Sequence, residues 1–185
     1  MRRGHEVFLV SVAWGVIALL SGPFTVMFVW LLAATAAETG FLVLPDSAPR
    51  FSGPKGREAD LTEILATHEQ TDGSIVLFRQ TIAPQSGPPT HIHETEDEFF
   101  YVVKGEFKVK LGDHITSAPA GSVMFVPRGT AHTFQNVGAS PGILLVGVTP
   151  GRLEKSFEER QGAEGETLRS IAEKYNLEVV GPPIL

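Results

Sequence analysis

The sequence predicts an all-β domain, an antiparallel barrel or jelly roll, with an apolar helix before it and a helical tail after it. Three observations carry that prediction. Short apolar or alternating runs recur through residues 61–150 with turn residues between them. Nineteen glycines and thirteen prolines supply many turns. Past Pro150 the hydrophobic spacing changes to i, i+3, i+4, i+7, the period of a helix. The 185 residues therefore divide into an N-terminal segment 1–40, a linker and lead-in 41–60, a barrel 61–150 and a C-terminal helical extension 151–185.

In the first segment, Arg2 and Arg3 precede an uncharged stretch, residues 7–37. As one helix it would span ~45 Å at 1.5 Å per residue, more than the ~30 Å hydrocarbon core of a bilayer. Gly22-Pro23 in its middle is expected to kink it, which membrane helices tolerate. The paired arginines favour a cytoplasmic N-terminus, so the expectation is a transmembrane anchor with the barrel extracytoplasmic. Two alternatives stay open: a cleaved signal segment ending near Ala34-Thr-Ala36, giving a secreted protein, and a start downstream near Met27, giving a cytoplasmic one.

Residues 45–56 are rich in Pro, Gly and Ser and read as a linker. Residues 60–69 are ambiguous, because Leu61, Ile64, Leu65 and His68 fit a helical stripe while Asp72-Gly73 followed by 74–82 fits a hairpin. Further strands are predicted at 90–92, 99–103, 106–111, 115–118, 122–127, 131–136 and 142–149. Beyond them, Leu168, Ile171, Ala172 and Tyr175 form one helical stripe that Asn176 caps. That helix packs on the barrel or on a second subunit, so a homodimer is among the expected partners.

Composition excludes some functions. A formal charge of -6, with Lys and Arg scattered, leaves no basic surface for nucleic acid. With no cysteine there is neither a disulfide framework nor a thiolate site.

The chemistry concentrates in two short segments. In Gly87-Pro-Pro-Thr-His91-Ile-His93, the two histidines are two apart and share a face if the chain is extended. Glu98 lies five residues past His93 and would face the other way on a straight strand, so residues 94–97 must be a loop or bulge that returns the carboxylate. In the second segment a strand ends at Pro127-Arg-Gly129 and the next begins near His132. Three imidazoles and one carboxylate suit a divalent transition metal (Fe, Mn, Co, Ni, Cu or Zn) and leave octahedral positions open for exchangeable ligands. Phe100 and Val102 share parity with Glu98, and Phe134 with His132, so an apolar interior should surround the site. A lone histidine is ordinarily a surface or core residue, and His5, His68 and His114 are read that way. Glu94, Glu96 and Asp97 read as a solvated acidic loop, with Asp97 the candidate for orienting a histidine. Gly105, Gly121, Gly129 and Pro127 read as turn formers, and Asn136 as a structural hydrogen-bonding group.

These residues resemble the cupin superfamily. Its first motif, G-x5-H-x-H-x3or4-E-x6-G, is matched from His91 and His93 through Glu98 to Gly105, except that Gln85 stands where the leading glycine is expected and Gly87 follows two residues later. Its second motif, G-x5-P-x-G-x2-H-x3-N, is matched at Gly121, Pro127, Gly129, His132 and Asn136, fifteen residues after the first. The resemblance implies paired strands at residues 60–82, which favours the hairpin there. It implies His91, His93, Glu98 and His132 as ligands of one divalent metal. From about Phe41 onward the arrangement is similar to single-domain cupins of the quercetin 2,3-dioxygenase type, including a helical tail closing on residues 177–185. That likeness implies an oxygenase acting with O2 on a small, aromatic or enolisable substrate, in which Glu98 is both ligand and proton acceptor. The alternative is a non-catalytic cupin that binds metal and a small molecule. An isomerase or lyase ranks third, because metal-free sugar epimerases of this fold lack the full ligand set.

Overall fold

The computed structural model describes residues 40–184. Residues 7–37, and with them the anchor, signal and downstream-start expectations and His5, lie outside the described residues. Among the described residues no helix is long and apolar enough to cross a membrane.

Among the described residues, eleven strands form two antiparallel sheets. In chain order they are β1 (Arg50–Ser52), β2 (Leu61–Ala66), β3 (Val76–Ile82), β4 (Thr90–His93), β5 (Asp97–Lys104), β6 (Glu106–Leu111), β7 (His114–Pro119), β8 (Val123–Val126), β9 (His132–Asn136), β10 (Gly142–Thr149) and β11 (Leu177–Gly181). The helices α1 (Glu154–Glu159) and α2 (Gly165–Lys174) lie between β10 and β11. One sheet has the order β1-β2-β3-β10-β5-β8, the other β11-β4-β9-β6-β7. The alternation of the strands explains why they face each other. Phe78, Ile82, Phe100, Val102, Leu144, Val146 and Val148 from the first sheet meet Phe107, Val109 and Phe134 from the second in one buried core.

The 60–82 region is the hairpin β2–β3, and its turn places both Asp72 (φ 50°) and Gly73 (φ 74°) in the left-handed region. The linker and the tail differ from expectation. Within 45–56, β1 pairs with β2, and a cross-strand row of charges holds it: Glu63, 3% exposed, accepts from Arg50 at 2.9 Å and from Arg79 at 2.5 Å. Residues 177–181, expected within a helical tail, form β11, because Asn176 (φ 54°) ends α2 and turns the chain back along the free edge of β4. The α2 stripe is as predicted, with Ile171 buried and Ala172 and Tyr175 packed against the core.

Candidate metal centre

The four ligand candidates come from both sheets. His91 and His93 sit on β4 and His132 on β9, where His91 and His132 are register partners; Glu98 reaches across from β5. The loop 94–96 carries the chain from one sheet to the other, which is how a carboxylate five residues after His93 comes to face it. One donor atom from each of the four lies within 4.8 Å of the others. His93, Glu98 and His132 are buried, and His91 is half-buried.

The hydrogen bonds assign each ring nitrogen. His91 Nδ1 lies 2.9 Å from the Pro89 carbonyl and His132 Nδ1 lies 3.0 Å from the Thr130 carbonyl. A carbonyl only accepts, so both Nδ1 atoms carry the proton and both Nε2 atoms present a lone pair to the centre. His93 Nδ1 lies 3.3 Å from Glu96 Oε2, and its Nε2 lies 3.1 Å from Glu98 Oε2. His132 Nε2 is 2.9 Å from the same carboxylate oxygen. Lone pairs and an anionic oxygen thus converge on one buried point, an arrangement that repels itself unless a cation or protons lie between them. The donor set and its outer partners fit a divalent metal ion.

Proton affinities in the cluster follow the same geometry. Burial pushes the His91 imidazole down, with His132 and His93 adding to the fall, to about 3. Burial also lowers His93, but the carboxylates of Glu98 and Glu96 outweigh it and raise the ring to about 9. Burial would raise Glu98, yet His93 and His132 hold it well below the usual carboxylate range.

The acidic loop is not uniformly solvated. Glu96, read with Glu94 and Asp97 as a solvated loop residue, is 2% exposed and is the carboxylate beside His93 Nδ1, a role for which Asp97 was the candidate. Asp97 instead pairs with Arg128 at 3.0 Å and accepts from its backbone N–H at 2.9 Å, while Gly129 N–H donates to the His93 carbonyl. Asp97 therefore clamps the turn before His132 onto the loop after His93. The i+3 spacing from His93 to Glu96 was the available signal, but in a run of acids it pointed to no single residue. Gln85, at the position where a glycine was expected, adopts φ 60°, so the left-handed turn forms without it. Gly87 serves a different need: a Cβ there would lie 2.0 Å from the Phe134 carbonyl oxygen on β9. Asn136 is fully buried, donates to the Ile82 and Ser140 carbonyls, and is structural as expected. Gly105, Gly121 and Gly129 all have positive φ in turns, and His68 and His114 are exposed.

A cavity of about 560 Å³ opens beside His91. Pro88, Pro89, Leu168, Leu177 and Val179 give it apolar walls, and Thr62 and Gln80 reach it from the first sheet.

Two facing antiparallel sheets, consistent with a jelly roll, carry between them a three-histidine, one-carboxylate cluster that could hold one metal ion. Residues 78–148 match the model of the cupin domain family. The chain is similar to the oxalate-binding protein of Thermotoga maritima, 26% identical over 96 residues that cover 52% of this chain and 78% of the relative. It is also similar to the tetracenomycin polyketide synthase protein TcmJ of Streptomyces glaucescens, 24% identical over 98 residues covering 52% of this chain and 66% of that one. Among solved structures, KdgF from Halomonas shares the fold, with a TM-score of 0.54 at 19% identity over 63% of this chain and 99% of KdgF.

Proposed function

We propose that this protein is a metal-dependent oxygenase resembling the quercetinase-type cupins, acting on a small aromatic or enolisable organic substrate. The observation that carries the reading is the convergence of three imidazole Nε2 atoms and the Glu98 carboxylate on one point next to a largely apolar cavity. The chemistry a divalent ion would supply there is polarisation of a substrate oxygen and, for a redox-active metal, activation of O2. His91, His93, Glu98 and His132 are the residues that would hold it. Glu98 has a second role: its carboxylate lies in one cluster with His91, which lines the cavity, and its low proton affinity keeps it ionised at neutral pH, the form that can take a proton from a substrate hydroxyl. The apolar walls favour a substrate with an apolar body.

The test is O2 consumption by the metal-loaded full chain on a panel of flavonols and other enolisable aromatics. Steady uptake that Glu98→Gln abolishes supports the reading, and no turnover with any metal on the whole panel sinks it. A second reading, a non-catalytic cupin that captures a small ligand, draws on the printed name of the Thermotoga relative. Saturable binding without product, by calorimetry and mass spectrometry, would favour it.

A further inference from the structure

The cavity beside His91 contains a charge that the metal cluster does not use. Arg160 directly follows α1, outside the segment that matches the cupin domain model, and lines this cavity, whose other charged residues are Arg57, Arg169, Asp60, Glu173 and Glu178. Arg57 and Arg160 differ in their partners. Arg57 is neutralised, with its guanidinium 2.8 Å from the buried carboxylate of Asp60. Arg160 has no carboxylate within salt-bridge distance among the described residues; its Nε donates to the Ser156 carbonyl at 3.2 Å and its guanidinium stacks 4.3 Å over the Phe157 ring.

We propose that Arg160 anchors the carboxylate of an amphipathic organic acid, whose apolar or aromatic body fills the cavity between α2, β11 and Pro88-Pro89 and whose reacting end lies at His91. The proposal rests on the reading of the His91, His93, Glu98 and His132 cluster as the reaction centre, and it names the substrate class for that centre. A guanidinium held in a half-enclosed, mostly apolar space with no carboxylate at salt-bridge distance is costly, and a planar anion in bidentate contact is the partner that its fork matches best. The Phe157 ring and the Ser156 carbonyl hold the fork in place beforehand, so little freedom is lost when the anion binds. Burial lowers the guanidinium to about 10, with Arg57 adding to the fall and the Glu98 carboxylate opposing it, so Arg160 stays charged at neutral pH and lies within electrostatic reach of the cluster. The volume, about 560 Å³, is far more than a two-carbon diacid needs and suits an acid with one or two rings.

The experiment is calorimetric binding of benzoate, salicylate and 1-naphthoate, each beside its neutral amide, to the full chain, with and without redox-inert Zn(II). The wild-type protein should bind at least one acid about tenfold or more tightly than its amide, and Arg160→Gln should remove that preference while leaving amide affinity and metal content unchanged. Arg160→Lys should restore part of the preference, because it keeps the charge and loses the fork. Equal binding of acid and amide by the wild type, no binding of any of the three acids, or a preference that survives in Arg160→Gln would overturn the proposal. The comparison on the wild-type protein stands even if both variants fold poorly. Acid preference in the absence of metal and of O2 uptake would uphold Arg160 while the oxygenase reading fell. O2 uptake on neutral substrates without acid preference would do the reverse.

Discussion

Each histidine of the cluster has one nitrogen committed outward and one inward, and this division makes the centre's proton balance predictable. In the metal-free protein His93 holds a proton up to about pH 9, because Glu98 and Glu96 flank it. A metal needs the neutral ring, so binding at pH 7 should release about one proton, and apparent affinity should rise about tenfold per pH unit until it levels off above pH 9. Calorimetry in buffers of different ionisation enthalpy reads the released proton directly; zero release would contradict the assignment. Glu96→Gln keeps the shape and removes the charge behind His93, so metal affinity should fall roughly 10–100-fold while the fold is retained. A competition assay with a chromogenic chelator measures that loss. That these four residues gather at one point was legible in the sequence, because motif spacing and the family resemblance place them jointly. The distinction between Glu96 and Asp97 was not. Both are acids in one short loop, and only the turn that tucks Glu96 under His93 while Asp97 meets Arg128 separates them.

Strands with apolar alternation, such as β3, β5 and β10, announce themselves in sequence, and their observed limits lie close to those expected. The edge strands do not. Three residues of β1 are held by Arg50 and Phe51 against β2, and β11 exposes three of its five residues, so neither has an apolar period to read. The segment joining β3 to β4 shows how an element far from the metal can still set its geometry. Gly87 packs against the backbone of β9, where no Cβ fits, and β9 begins with His132. Gly87→Ala should therefore push this segment off β9, destabilise the protein by about 1–3 kcal/mol and loosen the centre. Chemical denaturation beside metal titration checks both effects; a fully stable variant with unchanged metal affinity would show that the close approach is dispensable.

Across the whole molecule, the barrel brings together residues from distant parts of the chain. The second sheet supplies three imidazoles, the first sheet supplies the carboxylate, and the C-terminal helices, closed by β11 against the ligand strand β4, wall the cavity beside them. The all-β class and the gathering of the four candidate residues were readable from spacing together with the family resemblance, whereas the cavity and Arg160 were not, because a single arginine after a short helix carries no pattern until the fold sets it in the cavity that His91 also lines. The most direct measurement is the metal content and affinity of the full chain, by elemental analysis and titration, for the wild type, His132→Ala and Glu98→Ala. One divalent ion per chain in the wild type, with a marked loss of affinity in both variants, is the predicted result. Unchanged metal content in both variants would contradict a centre built from these four side chains.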